Sequence, residues 1–136
     1  MGLKKALSSS IGGKYLMALT GAGLFAFVIG HMLGNLQIYL GRDTLNSYAE
    51  GLKNMPALLW GARIGLLILF VAHIVFALKL TKRNREARPI AYHFKDNVQS
   101  TSASRFMMIS GLTILAFVIY HLLHFTIGVT HPDDFA

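Results

Sequence analysis

The chain contains no cysteine. That excludes a disulfide framework, a cysteine zinc site and an iron–sulfur cluster ligated by this chain, so any metal must be held by imidazole, oxygen or methionine. Charge is also scarce, at 14% of residues against about 25% in an average globular domain. The six acids (Asp43, Glu50, Glu86, Asp96, Asp133 and Asp134) all lie outside the long apolar runs. This argues against a transport or pumping mechanism built on intramembrane carboxylates. No glycine-rich phosphate loop precedes a helix, and no nucleophile–base pair is evident. The net charge of +7 is spread too thinly for an extended nucleic-acid surface. What remains is apolar: 54% of 136 residues, enough for one domain over 1–136.

The apolar residues are gathered into runs. A membrane helix needs about 20 predominantly apolar residues, and three stretches meet that length, about 15–40, 60–80 and 106–129. The predicted class is an all-α integral membrane protein with three spans forming part of a helical bundle. The start does not read as a cleavable signal peptide: Lys4 and Lys5 resemble its basic region, but no small-residue cleavage site follows a short apolar core.

Lysine and arginine set the expected orientation. Lys4, Lys5 and Lys14 precede span one, and Lys82, Arg83, Arg85, Arg88 and Lys95 fill the link between spans two and three. The other link carries Arg42 and Lys53 balanced by Asp43 and Glu50, and the tail carries only Asp133 and Asp134. The N-terminus and the basic loop 81–105 are thus predicted on the cytoplasmic side, the C-terminus outside. In the outer loop 41–59, Leu45, Tyr48, Ala49 and Leu52 have helical spacing, which predicts a short amphipathic helix on the membrane surface. The inner loop reads as polar and irregular, with Ser102 or Ser104 available to cap span three. It could contact anionic lipid or dock a cytoplasmic partner.

Each span carries one central histidine. Intramembrane ionisable residues are expensive and mark functional sites by default. His31 lies 16 residues past Tyr15 and His121 lies 16 residues past Arg105, each roughly 24 Å above the inner face at about 1.5 Å per residue. His73 precedes Lys82 by nine residues, roughly 13 Å above that face. Two levels about 10 Å apart are expected, with a pair at one and a single histidine at the other. A lone histidine of this kind is often a hydrogen-bonded packing residue; three, one per span, argue for more. Facing imidazoles suit iron, zinc or copper, and haem iron fits best because a flat macrocycle takes two axial ligands from opposite helices. His124, one turn beyond His121, is an alternative ligand, whereas His93 and His131 are expected to be solvated. A local repeat underlies the pattern: Phe27-Val28-Ile29-Gly30-His31 and Phe117-Val118-Ile119-Tyr120-His121 share FVI-x-H, with Phe70-Val71-Ala72-His73 a looser version. Gly23, Gly30 and Gly34 lie near one stripe of span one, and Gly61 and Gly65 repeat the G-x-x-x-G spacing in span two. They permit close backbone approach, either of another helix or of a macrocycle.

The run Ser9-Ser10-Ile11-Gly12-Gly13-Lys14-Tyr15-Leu16-Met17-Ala18-Leu19-Thr20-Gly21, followed by Gly30-His31-Met32-Leu33-Gly34-Asn35, resembles the start of the cytochrome b membrane anchor of bacterial succinate dehydrogenase/fumarate reductase. Ser110-Gly111 through Tyr120-His121-Leu122-Leu123-His124-Phe125 resembles its third span. The resemblance covers essentially the whole chain and is to the di-haem, single-subunit, five-helix type. It implies two haem b groups: an outer one held by spans one and three, hence His31 and His121, and an inner one to which His73 gives one ligand. It favours His121 over His124. The family's fourth and fifth helices lie beyond these 136 residues and are expected from the rest of the chain or from another polypeptide, with the partner of His73 among them.

The resemblance further implies electron transfer between an iron–sulfur subunit and quinone or menaquinone, beside a flavoprotein subunit that handles the dicarboxylate, in a bacterial cytoplasmic membrane. Glu50 is the candidate proton group of a quinone site, with Gln37 and Asn35 as hydrogen-bond partners. Arg42 and Arg63 are candidate outer propionate partners, and Lys82 or Arg83 inner ones. Two other classes fit the residues: a haem-free structural anchor, and a cytochrome b subunit of another membrane oxidoreductase.

Overall fold

The computed structural model describes residues 9–90, 93–94 and 96–134; Lys4, Lys5 and Lys95, used above for orientation, lie outside them. The described residues are helical with no strand: α1 (Ser10–Asn35) runs into a 3₁₀ turn (Leu36–Leu40), then come α2 (Arg42–Lys53), α3 (Pro56–Glu86), the short α4 (Ser102–Arg105) and α5 (Met107–Leu122). A π turn (Leu123–Ile127) and a 3₁₀ turn (Pro132–Asp134) follow α5. Three helical stretches are long and apolar enough to cross a membrane: Ser10–Leu40, Pro56–Glu86 and Met107–Ile127. No hydrophobic side chain is fully buried among the described residues. A water-soluble fold draws its stability from such burial, whereas helices apolar on every side belong in lipid or against further helices.

The ends follow local chemistry. Ser9 caps α1 by accepting a 2.9 Å hydrogen bond from the Gly12 amide, so the helix begins five residues before the predicted start. Pro56 sits in the first turn of α3, where its missing N–H is no loss. That helix runs to Glu86, beyond the predicted end at about 80, because Lys82, Arg83, Arg85 and Glu86 are good helix formers and outweigh Asn84. The basic connection is therefore partly helical. Span three is preceded by a cap, but neither Ser102 nor Ser104 supplies it: Thr101 accepts from the Ser104 amide at 3.2 Å. The hydroxyl of Ser104 instead bonds back to the Thr101 carbonyl. Gly41 links the first 3₁₀ turn to α2 at φ 108° and ψ 159°, a region essentially confined to glycine.

The chain divides into two units, Met1–Pro89 and Ile90–Ala136. In the first, α1 and α3 form an antiparallel hairpin whose interface on α1 is a stripe of small residues. The buried positions of α1 are Gly13, Thr20 and Gly34, one or two heptads apart. Gly13 faces Leu80 and Phe76, Gly23 faces Leu69, and Gly34 faces Tyr48 of α2. This is small-residue packing of the kind used where lipid removes any hydrophobic incentive for helix association, but it differs from the predicted pattern. Gly30, Gly61 and Gly65 have nothing within 4 Å of an added Cβ, so the G-x-x-x-G pairs are not the contact within this unit. Helix α2 forms as predicted, with Leu45 and Leu52 half-buried and Tyr48 laid on Gly34.

In the second unit, α5 carries its own hydroxyls without loss. Ser110 donates to the Phe106 and Met107 carbonyls, and Thr113 donates to the Ile109 carbonyl. Backbone acceptors thus satisfy groups that lipid cannot. Gly128, at φ 76°, ends the π turn, and the Val129 amide closes it onto the Leu123 carbonyl.

Candidate functional site

The three central histidines are each held by a neighbour. On α1, the imidazole of His31 stacks on Phe27 with centroids 5.3 Å apart and planes 17° from parallel. On α5, His121 stacks on Phe117 at 5.7 Å and 29°. The repeated FVI-x-H motif produces the same device twice, because residues four apart lie over one another on a helix. His121 also meets Phe125 at 5.1 Å. In α3 the phenylalanine precedes the histidine by three residues rather than four, and His73 is held differently. It crosses to α1, where its Nδ1 lies 3.1 Å from Thr20 Oγ1. Gly21 leaves room for the ring: a Cβ there would come 3.1 Å from His73 Cε1.

The hairpin register gives the levels. With Gly13 opposite Leu80, Thr20 opposite His73 and Gly23 opposite Leu69, His31 falls level with about Ala62, some 11 residues along α1 from the His73 level, or roughly 16 Å. Two levels therefore exist within this unit, as expected, but farther apart than the predicted 10 Å. The sequence estimate set Tyr15 and Lys82 at one height; the register sets Tyr15 opposite about Leu78, leaving Lys82 roughly 6 Å lower. Three glycines with open Cβ positions, Gly30, Gly61 and Gly65, bracket the His31 level. His121 lies in the second unit, half-buried on α5.

The polar candidates sit as follows. Asn35 donates to the carbonyl of His31 at 2.7 Å, and its longer 3.5 Å approach to His31 Nδ1 is at the limit of a hydrogen bond. Arg63, level with about Gly30, lies over the Trp60 ring at 5.1 Å. Arg42 is exposed at the start of α2, and Glu50 is exposed on the same helix with no ion pair among the described residues. Gln37 is half-buried in the 3₁₀ turn. Lys82 faces Glu86 at 3.8 Å on an exposed helix surface, and Arg83 is half-buried.

His131 is exposed, as expected of a solvated residue, but it is not without contacts: its Nδ1 lies 3.2 Å from His124 Nδ1, with ring centroids 4.6 Å apart. The π turn and Gly128 fold the tail back on α5, which no side-chain periodicity announces. His124 is thereby engaged with His131, Phe125 and Tyr120. His93 meets only Phe94 among the described aromatics, edge to face at 4.8 Å. No group of three or more histidine, aspartate or glutamate residues is arranged to hold a bare metal ion among the described residues. Sequence reasoning missed the role of Thr20, and it placed Tyr48 on the surface helix without its contact to Gly34. The available signal for Thr20 was its place as the one polar residue in the heptad series with Gly13 and Gly34.

The donor set is imidazole alone, one ring on each long helix. That chemistry suits a group bound through single imidazole nitrogens rather than a clustered metal site, and the open glycines at the His31 level leave space beside one of them. No protein-family model, curated protein or solved structure matches the chain.

Proposed function

We propose that this chain is the haem b-binding membrane anchor of a succinate:quinone oxidoreductase in a bacterial cytoplasmic membrane. In that role it passes electrons between an iron–sulfur subunit and quinone or menaquinone. The observation that carries the reading is one oriented central imidazole on each of three membrane-length helices, His31, His73 and His121. Two are stacked by the same repeated phenylalanine device and the third is tied across the hairpin to Thr20. The motif resemblance to the di-haem anchors supports the same assignment.

By the motif resemblance, His31 and His121 would hold one haem iron, and His73 would give one ligand to a second haem whose other ligand would come from the further helices. Haem supplies reversible one-electron transfer, and its potential is set by ligands, their hydrogen bonds and burial. Gly30, Gly61 and Gly65 keep side chains off the space at the His31 level. Arg63, at nearly that height, would exchange its contact with Trp60 for a propionate. An exposed cation–π contact is worth only about 0.5–1 kcal/mol, so a charge-assisted bond outweighs it. Quinone reduction consumes protons as well as electrons, and Glu50, exposed on α2, is the carboxylate that delivers them. The basic residues from Lys82 to Arg88 face the cytoplasmic partners.

The test is a dithionite-reduced minus oxidised spectrum of the natively purified assembly, with haem counted per complex. Two b-type haems together with succinate-driven reduction support the reading, and His31→Ala is expected to remove one of them. Haem reduced by another donor, with no flavoprotein present, assigns the chain to a different membrane oxidoreductase. A colourless complex supports a second reading, a haem-free structural anchor. One observation favours that second reading: His73 already has a hydrogen-bond partner without any ligand.

A further inference from the structure

We infer that Thr20 is a positioning residue that fixes the tautomer of His73, keeping its proton on Nδ1 and leaving Nε2 with a bare lone pair available as a ligand. The ligand half of this inference rests on the function proposed above; the tautomer half rests on donor arithmetic alone. A threonine hydroxyl has one proton to give and two lone pairs to offer. Thr20 Oγ1 lies 2.7 Å from the Leu16 carbonyl and 3.1 Å from the Met17 carbonyl, both of which only accept. Its single proton is therefore committed to its own helix, in the back-bonded arrangement common for threonine.

The third contact of the same oxygen is His73 Nδ1 at 3.1 Å. With the hydroxyl proton already used, the hydrogen in that contact must come from the imidazole, so Nδ1–H donates to Thr20 Oγ1. An imidazole that ligates a metal is the neutral ring, and in the neutral ring with its proton on Nδ1 the other nitrogen, Nε2, carries none. Ligating histidines commonly have the other ring N–H donated to an acceptor that fixes orientation and raises ligand basicity. Here the acceptor is supplied by a different helix and is buried, at 8% exposure. Gly21, the next residue, completes the seat, because any side chain there would meet His73 Cε1 and Nδ1. The hairpin itself thus selects the face of His73 that is presented.

The direct test is solid-state ¹⁵N NMR of the full chain in lipid bilayers without haem, labelled at histidine, with His73 assigned by difference against His73→Gln. The wild type should show a protonated Nδ1 and an unprotonated Nε2 at His73. Thr20→Ser should retain that pattern, and Thr20→Val should lose it. A wild-type His73 protonated on Nε2, or a Thr20→Val chain unchanged from wild type, overturns the inference.

The ligand half is read in the native assembly, where the Thr20→Val variant should hold the His73-ligated haem about 10–100-fold more weakly and Thr20→Ser should restore it. Equal haem retention and equal midpoint potential in wild type and Thr20→Val overturn the positioning role. A wild-type assembly without haem overturns the functional reading and the ligand half together, while the NMR result still decides the tautomer.

Discussion

Replacing Gly21 by alanine probes the seat of His73 directly, and its effect follows from two opposing terms. The added Cβ would lie 3.1 Å from His73 Cε1 and 3.6 Å from Nδ1. Favourable carbon–carbon contact begins at about 3.5 Å, so the methyl intrudes by about 0.4 Å. The ring cannot swing away freely, because its Nδ1 is bonded to Thr20 on the adjoining residue. Overpacking of this kind costs about 1–3 kcal/mol. Against it stands the helical gain of alanine over glycine, about 0.5–1 kcal/mol. The control is Gly30→Ala in the same helix, where nothing lies within 4 Å of the new atom and only the helical gain applies. Gly21→Ala is therefore expected to be about 1–3 kcal/mol less stable than Gly30→Ala. Reversible unfolding by sodium dodecyl sulfate in mixed micelles, followed by far-ultraviolet circular dichroism, measures the difference. A double-mutant cycle with Thr20→Val should show coupling of about 0.5–3 kcal/mol, as residues sharing a partner do. Equal stability of the two alanine variants would refute the packing argument for His73.

Gly34→Ala would place a Cβ 2.7 Å from Tyr48 Oη and 3.0 Å from Cε1, so α2 should lift from α1 at a cost of about 1–3 kcal/mol, seen as faster amide exchange over residues 42–53; unchanged exchange contradicts it. Gly41→Ala forces a side chain into a glycine-only backbone region and should lower the unfolding midpoint by the equivalent of about 1–3 kcal/mol. Phe27→Leu should remove the ring stack on His31, costing about 0.5–1.5 kcal/mol in the same unfolding assay. Lys82→Ala breaks only an exposed i,i+4 pair, and its effect should stay within about 0.5 kcal/mol.

Apolar run length alone determines three membrane-length helices, because the hydrocarbon thickness dictates about 20 residues per crossing. The histidine positions, the FVI-x-H repeat and the amphipathic spacing of 42–53 were equally open to reading, since each depends on separations of three or four residues within one helix. Even the Phe27 and Phe117 stacks are local consequences of that spacing. What the tertiary structure decided is everything that depends on the register between helices. Which glycines pack and which stay open, the roughly 16 Å between the His31 and His73 levels, and the crossing of His73 to Thr20 all follow from how α1 slides against α3. No periodicity in a single strand of sequence encodes that slide, because it is set by the fit of Leu69, Phe76 and Leu80 against Gly23 and Gly13. The His124–His131 pair is of the same kind. It exists because a π turn and one left-handed glycine bring residues seven apart together, where a continuous helix would have set them two turns, about 10 Å, apart.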